Sequence, residues 1–185
     1  MKVLGVVGSP RRKGNTAALV EKILEGAREA GIETERFYLG DMQLNPCKDC
    51  VVCKRTGECA QKDDMQLVYE AIKDANVLVL GTPIYFDHIS AQTKIFIDRL
   101  RKAIWGVGFP KGAKAIVVIT YEWDNPTGYD YVIDWLKERL RQYHKLETIA
   151  TFKAENTTKN PVSGRRPLLR EAFDLGRSLI DYCEK

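Results

Sequence analysis

The fold is decided by residues 2–16, which read KVLGVVGSPRRKGNT. Residues 2–8 are a short apolar run that ends in Gly8, which is typical of a central strand in a parallel sheet. A polar loop follows at 9–16, and apolar residues at helical spacing from Leu19 to Ala27 then predict a helix that ends at Gly31. This order of strand, polar loop and helix predicts the start of a doubly wound α/β fold.

The same alternation continues to the end of the chain. Further strands are predicted at 33–39, 76–81, 115–120 and near 146–153, and the segments between them have helical spacing. In the helix expected at about 63–75, Asp63 is the predicted N-cap and Leu67 is predicted to face inward. We therefore predict one domain over residues 1–185, a three-layer α/β sandwich with a cysteine-rich loop, 42–62, inserted after the second strand.

Composition narrows the class of protein. The chain has 185 residues, 44% of them hydrophobic, and a net charge of +4, which is typical of a globular domain without a strongly basic face. A nucleic-acid partner is therefore not expected. No apolar run approaches the roughly 20 residues of a membrane helix, and the first residues do not resemble a signal peptide. We expect no membrane partner and a cytoplasmic location, where thiols stay reduced.

The loop after the first strand is a candidate phosphate site. Hydroxyl groups and backbone N–H groups at a helix N-terminus suit a phosphate, and ligands of this architecture bind at the carboxyl ends of the strands. A Walker A loop is excluded because Asn15 follows Gly14, and the spacing of Gly5 and Gly8 does not match a dinucleotide fingerprint. A terminal monophosphate is favoured, and a plain polar turn is the alternative.

A second loop, expected at 82–90, brings aromatic residues to the same edge of the sheet. Tyr85 and Phe86 are placed to flank a planar ring, although they could also be core or interface residues. A planar heterocycle that carries a monophosphate is FMN. The two loops together therefore predict an FMN site.

Four cysteines lie within thirteen residues. Cys47, Cys50, Cys53 and Cys59 have the spacing C-x2-C-x2-C-x5-C. Thiolates at this spacing favour a 4Fe–4S cluster, and zinc or free thiols remain alternatives. The fifth cysteine, Cys183, is predicted to be a small buried residue of the last helix.

These motifs resemble the iron–sulfur flavoproteins of the flavodoxin-like, NADPH-dependent FMN reductase superfamily. The resemblance is carried by GSPR at 8–11 with GNT at 14–16, the compact cysteines, DDM at 63–65 and GTPIYF at 81–86, and it covers about the first 100 residues. It implies a five-stranded parallel sheet of order 2-1-3-4-5 that carries FMN and a 4Fe–4S cluster. It also implies a homodimer or homotetramer.

The resemblance also implies roles for particular residues. The FMN phosphate would be held by Ser9, Arg11, Asn15 and Thr16. The flavin ring would be contacted by Pro83, Ile84, Tyr85 and Phe86, and the cluster would be bound by Cys47, Cys50, Cys53 and Cys59.

Three functional hypotheses follow. The first is an oxidoreductase that takes single electrons from a ferredoxin-like donor through the cluster to FMN, and on to dioxygen, peroxide or a quinone. The second is an NAD(P)H-dependent FMN or quinone reductase whose cysteines bind zinc or nothing, and the third is a flavin carrier or redox sensor. No catalytic side chain is predicted, because the flavin carries the reaction and the two histidines, His88 and His144, form no evident pair. The aromatic residues Tyr121, Trp123, Tyr129 and Tyr131 suggest an interface over the cleft.

Overall fold

The computed structural model describes residues 1–182 of the chain, which contain a sheet of five parallel strands and one short antiparallel strand, with helices on both faces. The prediction for Cys183 lies outside the described residues. The strands are β1 (Lys2–Val7), β2 (Glu33–Tyr38), β3 (Val77–Tyr85), β4 (His88–Ile89), β5 (Lys114–Thr120) and β6 (Glu147–Ala154). The helices are α1 (Asn15–Glu29), α2 (Val52–Thr56), α3 (Met65–Ala71), α4 (Ala91–Arg99), α5 (Arg101–Trp105), α6 (Asp130–His144) and α7 (Arg166–Ser178).

The sheet has the order β2-β1-β3-β5-β6, and all of these strands are parallel. When the short β4 is set aside, this is the predicted order 2-1-3-4-5, so the flavodoxin-like fold is confirmed. The strand β4 pairs only with the end of β3, in an antiparallel hairpin that places Ile84 opposite Ile89.

Two apolar cores lie on opposite faces of the sheet because its central strands are buried on both sides. Leu4, Leu78 and Val117 point to the core that is closed by α3, α4 and α6. Their neighbours Val3 and Val79 point to the core that is closed by α1 and α7. The three-layer sandwich is therefore as predicted.

Two segments differ from the sequence-based prediction. Strand β3 continues through Tyr85, where a loop was expected, because the hairpin with β4 supplies hydrogen-bond partners for its last residues. Helix α3 ends at Ala71 rather than near Ala75, since the backbone N–H groups of Lys73 and Ala75 bond to carbonyl groups only three residues earlier.

The prediction of which α3 residues face the core was partly wrong. Leu67 is 59% exposed, whereas Met65, Val68 and Tyr69 are buried. The N-cap position is occupied by Asp64, which makes no side-chain capping hydrogen bond. The carboxylate of Asp63 accepts a hydrogen bond from the backbone N–H of Met65 at 3.2 Å and is also bound by Arg99 from another helix.

None of the helices within residues 1–182 is both long enough and apolar enough to cross a membrane.

Candidate functional site

Hydrogen bonds join the loops at the carboxyl edge of the sheet into one unit. The backbone N–H of Gly8 donates to the carbonyl of Gly81 at 2.7 Å, and the hydroxyl of Ser90 donates to the carbonyl of Gly8 at 2.7 Å. The hydroxyl groups of Thr16 and Thr120 lie 2.7 Å apart and are buried. The loops that follow β1 and β3 are thus held together, and α1 is fastened to the end of β5.

The loop at 9–16 presents the free N-terminus of α1. Gly14 is the N-cap residue and makes no side-chain capping hydrogen bond, and the first turn of α1 contains no acidic residue. The first N–H groups of a helix have no partner within the helix, and the helix dipole favours an anion there. Ser9 is buried and its hydroxyl accepts a hydrogen bond from the backbone N–H of Arg11 at 3.1 Å, while the Arg11 side chain is exposed. This arrangement suits a phosphate group.

Asn15, which was assigned to the same site, has a structural contact as well. Its side-chain oxygen accepts a hydrogen bond from the backbone N–H of Val162 at 2.9 Å and so holds the segment after β6. The side-chain nitrogen remains as a donor for a ligand. The basic residue Arg12 is used elsewhere, since it donates to Asp41 at 2.7 Å and lies over the ring of Tyr38.

The aromatic loop places its predicted residues in two different environments. Pro83 is buried within β3 and Ile84 is partly buried. Tyr85 is 41% exposed and Phe86 is fully exposed, at the turn between β3 and β4. Phe86 and Asp87 have φ values of +46° and +63°, which bulky L-residues adopt at a cost. The turn therefore holds an aromatic ring in solvent at the edge where α1 begins.

Two tyrosines of α6 and its N-terminus hold this turn, and sequence reasoning did not assign them this role. The hydroxyl of Tyr129 donates to the Asp87 carboxylate at 2.7 Å, and the hydroxyl of Tyr131 donates to the Asp87 carbonyl at 2.6 Å. The hydrogen bond to Asp87 and, as a smaller cause, burial raise the pKa of Tyr129 to about 12. The hydroxyl therefore stays protonated and remains a donor. Of the four aromatic residues that suggested an interface, Tyr121 and Tyr129 are buried, while Trp123 and Tyr131 are exposed.

The four clustered cysteines surround one small cavity. Cys47 and Cys50 are exposed, Cys53 and Cys59 are partly buried, and all four are free thiols. They line the cavity together with Arg101. Within residues 1–182, no group of three or more metal-binding side chains is arranged as a formed metal site. The donor set, four thiols around one cavity, nevertheless fits a group with all-thiolate ligation.

The cysteine segment, residues 45–63, is held against the junction of α4 and α5 by ion pairs. Its three carboxylates each pair with a cation of that junction: Asp63 with Arg99, Asp49 with Arg101, and Glu58 with Lys102. Burial alone would raise the pKa of Asp63, but hydrogen bonds from Arg99 and from the backbone of Asn45 outweigh it and lower the pKa to about 2. Sequence reasoning did not predict these pairs; the one available signal was three cations in the four residues 99–102.

This attachment fixes where the cysteines lie. The segment leaves the carboxyl edge, where Gly40 is close to Pro10, but Arg99 holds it at the other end of α4. Since α4 has nine residues, Arg99 lies about 13 Å along the helix axis from Ser90. The chain that leads into the segment therefore lies at the edge of the phosphate loop, whereas Cys59 is held near the far end of α4.

The two histidines do not form a catalytic pair in the structure. His88 packs edge-on against Trp135, with ring centroids 4.9 Å apart, and His144 packs against Phe109 at 6.1 Å. Burial lowers the pKa of His144 to about 4. Both side chains are thus explained by aromatic packing beside α6.

Two solved structures with the same architecture are by name an oxidoreductase and a reductase. An NAD(P)H:quinone oxidoreductase from Methanothermobacter marburgensis superposes with a TM-score of 0.75 over 97% of both chains, at 19% identity. An FMN-dependent NADH-azoreductase from Bacillus anthracis superposes with a TM-score of 0.71 over 97% of this chain and 99% of its own, at 17% identity. At these identities the likeness shows the fold.

Sequence relatives are closer. An iron–sulfur flavoprotein of Methanocaldococcus jannaschii is 46% identical over 101 residues, which are 55% of this chain and 52% of that protein. The chain thus matches about half the length of this relative. YwqN of Bacillus subtilis, by name an NAD(P)H-dependent FMN-containing oxidoreductase, is 30% identical over 68% of this chain and 69% of its own. Residues 1–124 match the family described as NADPH-dependent FMN reductase, and the chain therefore belongs to that family.

Proposed function

We propose that the protein is a flavin-dependent oxidoreductase that binds FMN at the carboxyl edge of the sheet. The observation that carries the proposal is the uncapped N-terminus of α1 beside an exposed aromatic turn. The phosphate would be held by the first N–H groups of α1 with Ser9, Arg11, Asn15 and Thr16. The ring would lie against Pro83, Ile84, Tyr85 and Phe86.

In this proposal the chain's own residues bind and orient the cofactor. The hydrogen bond between Gly8 and Gly81 keeps the two loops at a fixed separation, and the tyrosine hydroxyls on Asp87 keep the turn in place. When bound, FMN would supply one- or two-electron redox chemistry, so that no acid, base or nucleophile of the protein is required.

The proposal includes a 4Fe–4S cluster on Cys47, Cys50, Cys53 and Cys59. Four free thiols around one cavity support it, as does the similarity to iron–sulfur flavoproteins. The cluster would supply single-electron chemistry. We propose a ferredoxin-like protein as electron donor, and dioxygen, peroxide or a quinone as acceptor.

The assembly and location are part of the same proposal. Exposed aromatic side chains at Phe86, Trp123 and Tyr131 support a homodimer or homotetramer that covers the flavin edge. A purely monomeric species in sedimentation velocity would contradict this assembly. We propose a cytoplasmic location, because a reducing compartment keeps clustered cysteines available as metal ligands.

Anaerobic purification tests the cofactors directly. Iron, sulfide, zinc and flavin should be quantified per chain, and about one FMN with four irons and four sulfides is expected. Cys53→Ser should lose the iron and sulfide and retain the FMN, while Cys183→Ser serves as the matched control. Stoichiometric zinc, or metal content that is the same in Cys53→Ser, would contradict the cluster.

A second candidate is an NAD(P)H-dependent FMN or quinone reductase whose cysteines bind zinc or nothing. The match to the NADPH-dependent FMN reductase family and the similarity to YwqN favour it. Rapid anaerobic bleaching of the flavin by NADPH alone would support this candidate. Bleaching only through a reduced iron–sulfur donor protein would support the first.

A further inference from the structure

The buried guanidinium of Arg99 connects three parts of the cysteine segment. One nitrogen, Nη1, donates to the carbonyl of Asn45 at 2.7 Å and to the Asp63 carboxylate at 2.6 Å. The other, Nη2, donates to the second oxygen of Asp63 at 2.9 Å and to Sγ of Cys59 at 3.5 Å. Asn45 lies two residues before Cys47, and Asp63 lies four residues after Cys59. Arg99 thus contacts both ends of the cysteine segment and the last thiol in it.

Stability alone does not account for this arrangement. Arg99 is 2% exposed, and its Nε has no hydrogen-bond partner in the described part of the chain. A buried ion pair recovers little more than the cost of removing its charges from water, and apolar residues of similar volume often stabilise as well or better. A buried arginine with an unsatisfied nitrogen therefore needs another reason to be there.

The geometry supplies that reason. The guanidinium is a planar fork whose donors have fixed directions, so that it can hold several acceptors in one plane at once. A lysine has a single ammonium group on a flexible stem and cannot make the paired contact with Asp63 while it also reaches Cys59. The backbone of Arg99 is fixed as well, because its carbonyl accepts a hydrogen bond from the hydroxyl of Tyr69 at 3.0 Å.

We propose that Arg99 is a positioning residue for the cysteine centre: it closes the segment from Asn45 to Asp63 and donates an N–H···S hydrogen bond to Cys59. The identity of the bound group as iron–sulfur rests on the proposed function, whereas the closing of the segment does not. Hydrogen bonds to ligand sulfur stabilise the more negative, reduced state of a cluster and raise its potential. Arg99 therefore both preorganises the ligands and sets the potential of the group they bind.

The test compares Arg99→Lys with Arg141→Lys in the full-length protein. The control makes the same chemical change at an exposed arginine that also forms a paired contact, with Glu138. Iron retention against a chelator and the midpoint potential are measured anaerobically. We expect Arg99→Lys to lower the affinity for the bound group by about 10- to 100-fold and to shift the potential to more negative values. The control should match the wild type. Unchanged affinity and potential in Arg99→Lys would overturn the proposal.

Two further measurements keep the outcome decisive. If the wild-type protein contains no iron, the cluster hypothesis fails, and hydrogen exchange of residues 47–62 then tests the closing role by itself. Faster exchange in Arg99→Lys supports that role, and equal exchange refutes it.

If Arg99→Lys does not fold, Asp63→Asn removes the charge of one partner and keeps its shape. A smaller loss of affinity for the bound group is then expected, and wild-type affinity would overturn the proposal.

Discussion

Adding one methyl group at Gly8 should disturb both the fold and the flavin site. A Cβ atom at this position would lie 1.8 Å from the hydroxyl oxygen of Thr93 and 3.1 Å from the carbonyl of Gly81. Thr93 is buried and β-branched, so its side chain has little freedom to rotate away, and its hydroxyl is hydrogen-bonded to Ser90 at 2.9 Å. Gly8→Ala must therefore displace either the end of β1 or the start of α4.

The size of the effect follows from these contacts. Overpacking a close-packed site costs about 1–3 kcal/mol, and the loss of one buried hydrogen bond adds about 1 kcal/mol. We expect Gly8→Ala to lower the free energy of unfolding by about 2–4 kcal/mol. FMN affinity should fall as well, since Gly8 directly precedes the proposed phosphate loop.

A double-mutant cycle isolates the cause. Thr93→Ala removes the atom that Gly8→Ala would clash with, so the double variant should be more stable than the sum of the single effects predicts, by about 1–2 kcal/mol. Stability is measured by urea denaturation and FMN binding by fluorescence titration. Gly164→Ala is the matched control, because its Cβ would meet no atom within 4 Å. Strict additivity, or a Gly8→Ala protein as stable as the control, would refute the reasoning.

Three other predictions follow from single contacts. Phe86→Asn should raise the free energy of unfolding by about 1 kcal/mol, because asparagine tolerates a φ of +46°. The same variant should bind FMN more weakly, and a lower free energy of unfolding would contradict the reasoning. Thr16→Val should cost about 1–3 kcal/mol in urea denaturation, since it leaves the buried hydroxyl of Thr120 unpaired. His144 has a folded pKa of about 4 against 6.5 unfolded, so its contribution is complete above pH 6.5 and is lost as the pH falls toward 4. The stability difference between wild type and His144→Gln should change by about 2–3 kcal/mol over that range, and a constant difference would contradict it.

Several features could be predicted from the sequence because neighbouring residues encode them. Apolar runs separated by helical spacing indicated a parallel sheet, and the strand order that the family resemblance implied was confirmed. The polar loop at 9–16 was correctly predicted to lead directly into a helix, which is α1. Such features depend on contacts within a few residues, which a sequence shows directly.

Tertiary structure decided the details that depend on distant residues. The buried contacts of Arg99 join positions that are 36 to 54 residues apart, and nothing in the local pattern around Asp63 distinguishes a salt-bridge partner from a helix cap. The tyrosines that hold Asp87 come from 42 and 44 residues further along the chain. The sequence by itself therefore determined the fold and the sets of candidate ligands. Only the packing of α4 and α6 decided where the cysteines lie and how the aromatic turn is held, because those contacts exist only once distant segments are brought together.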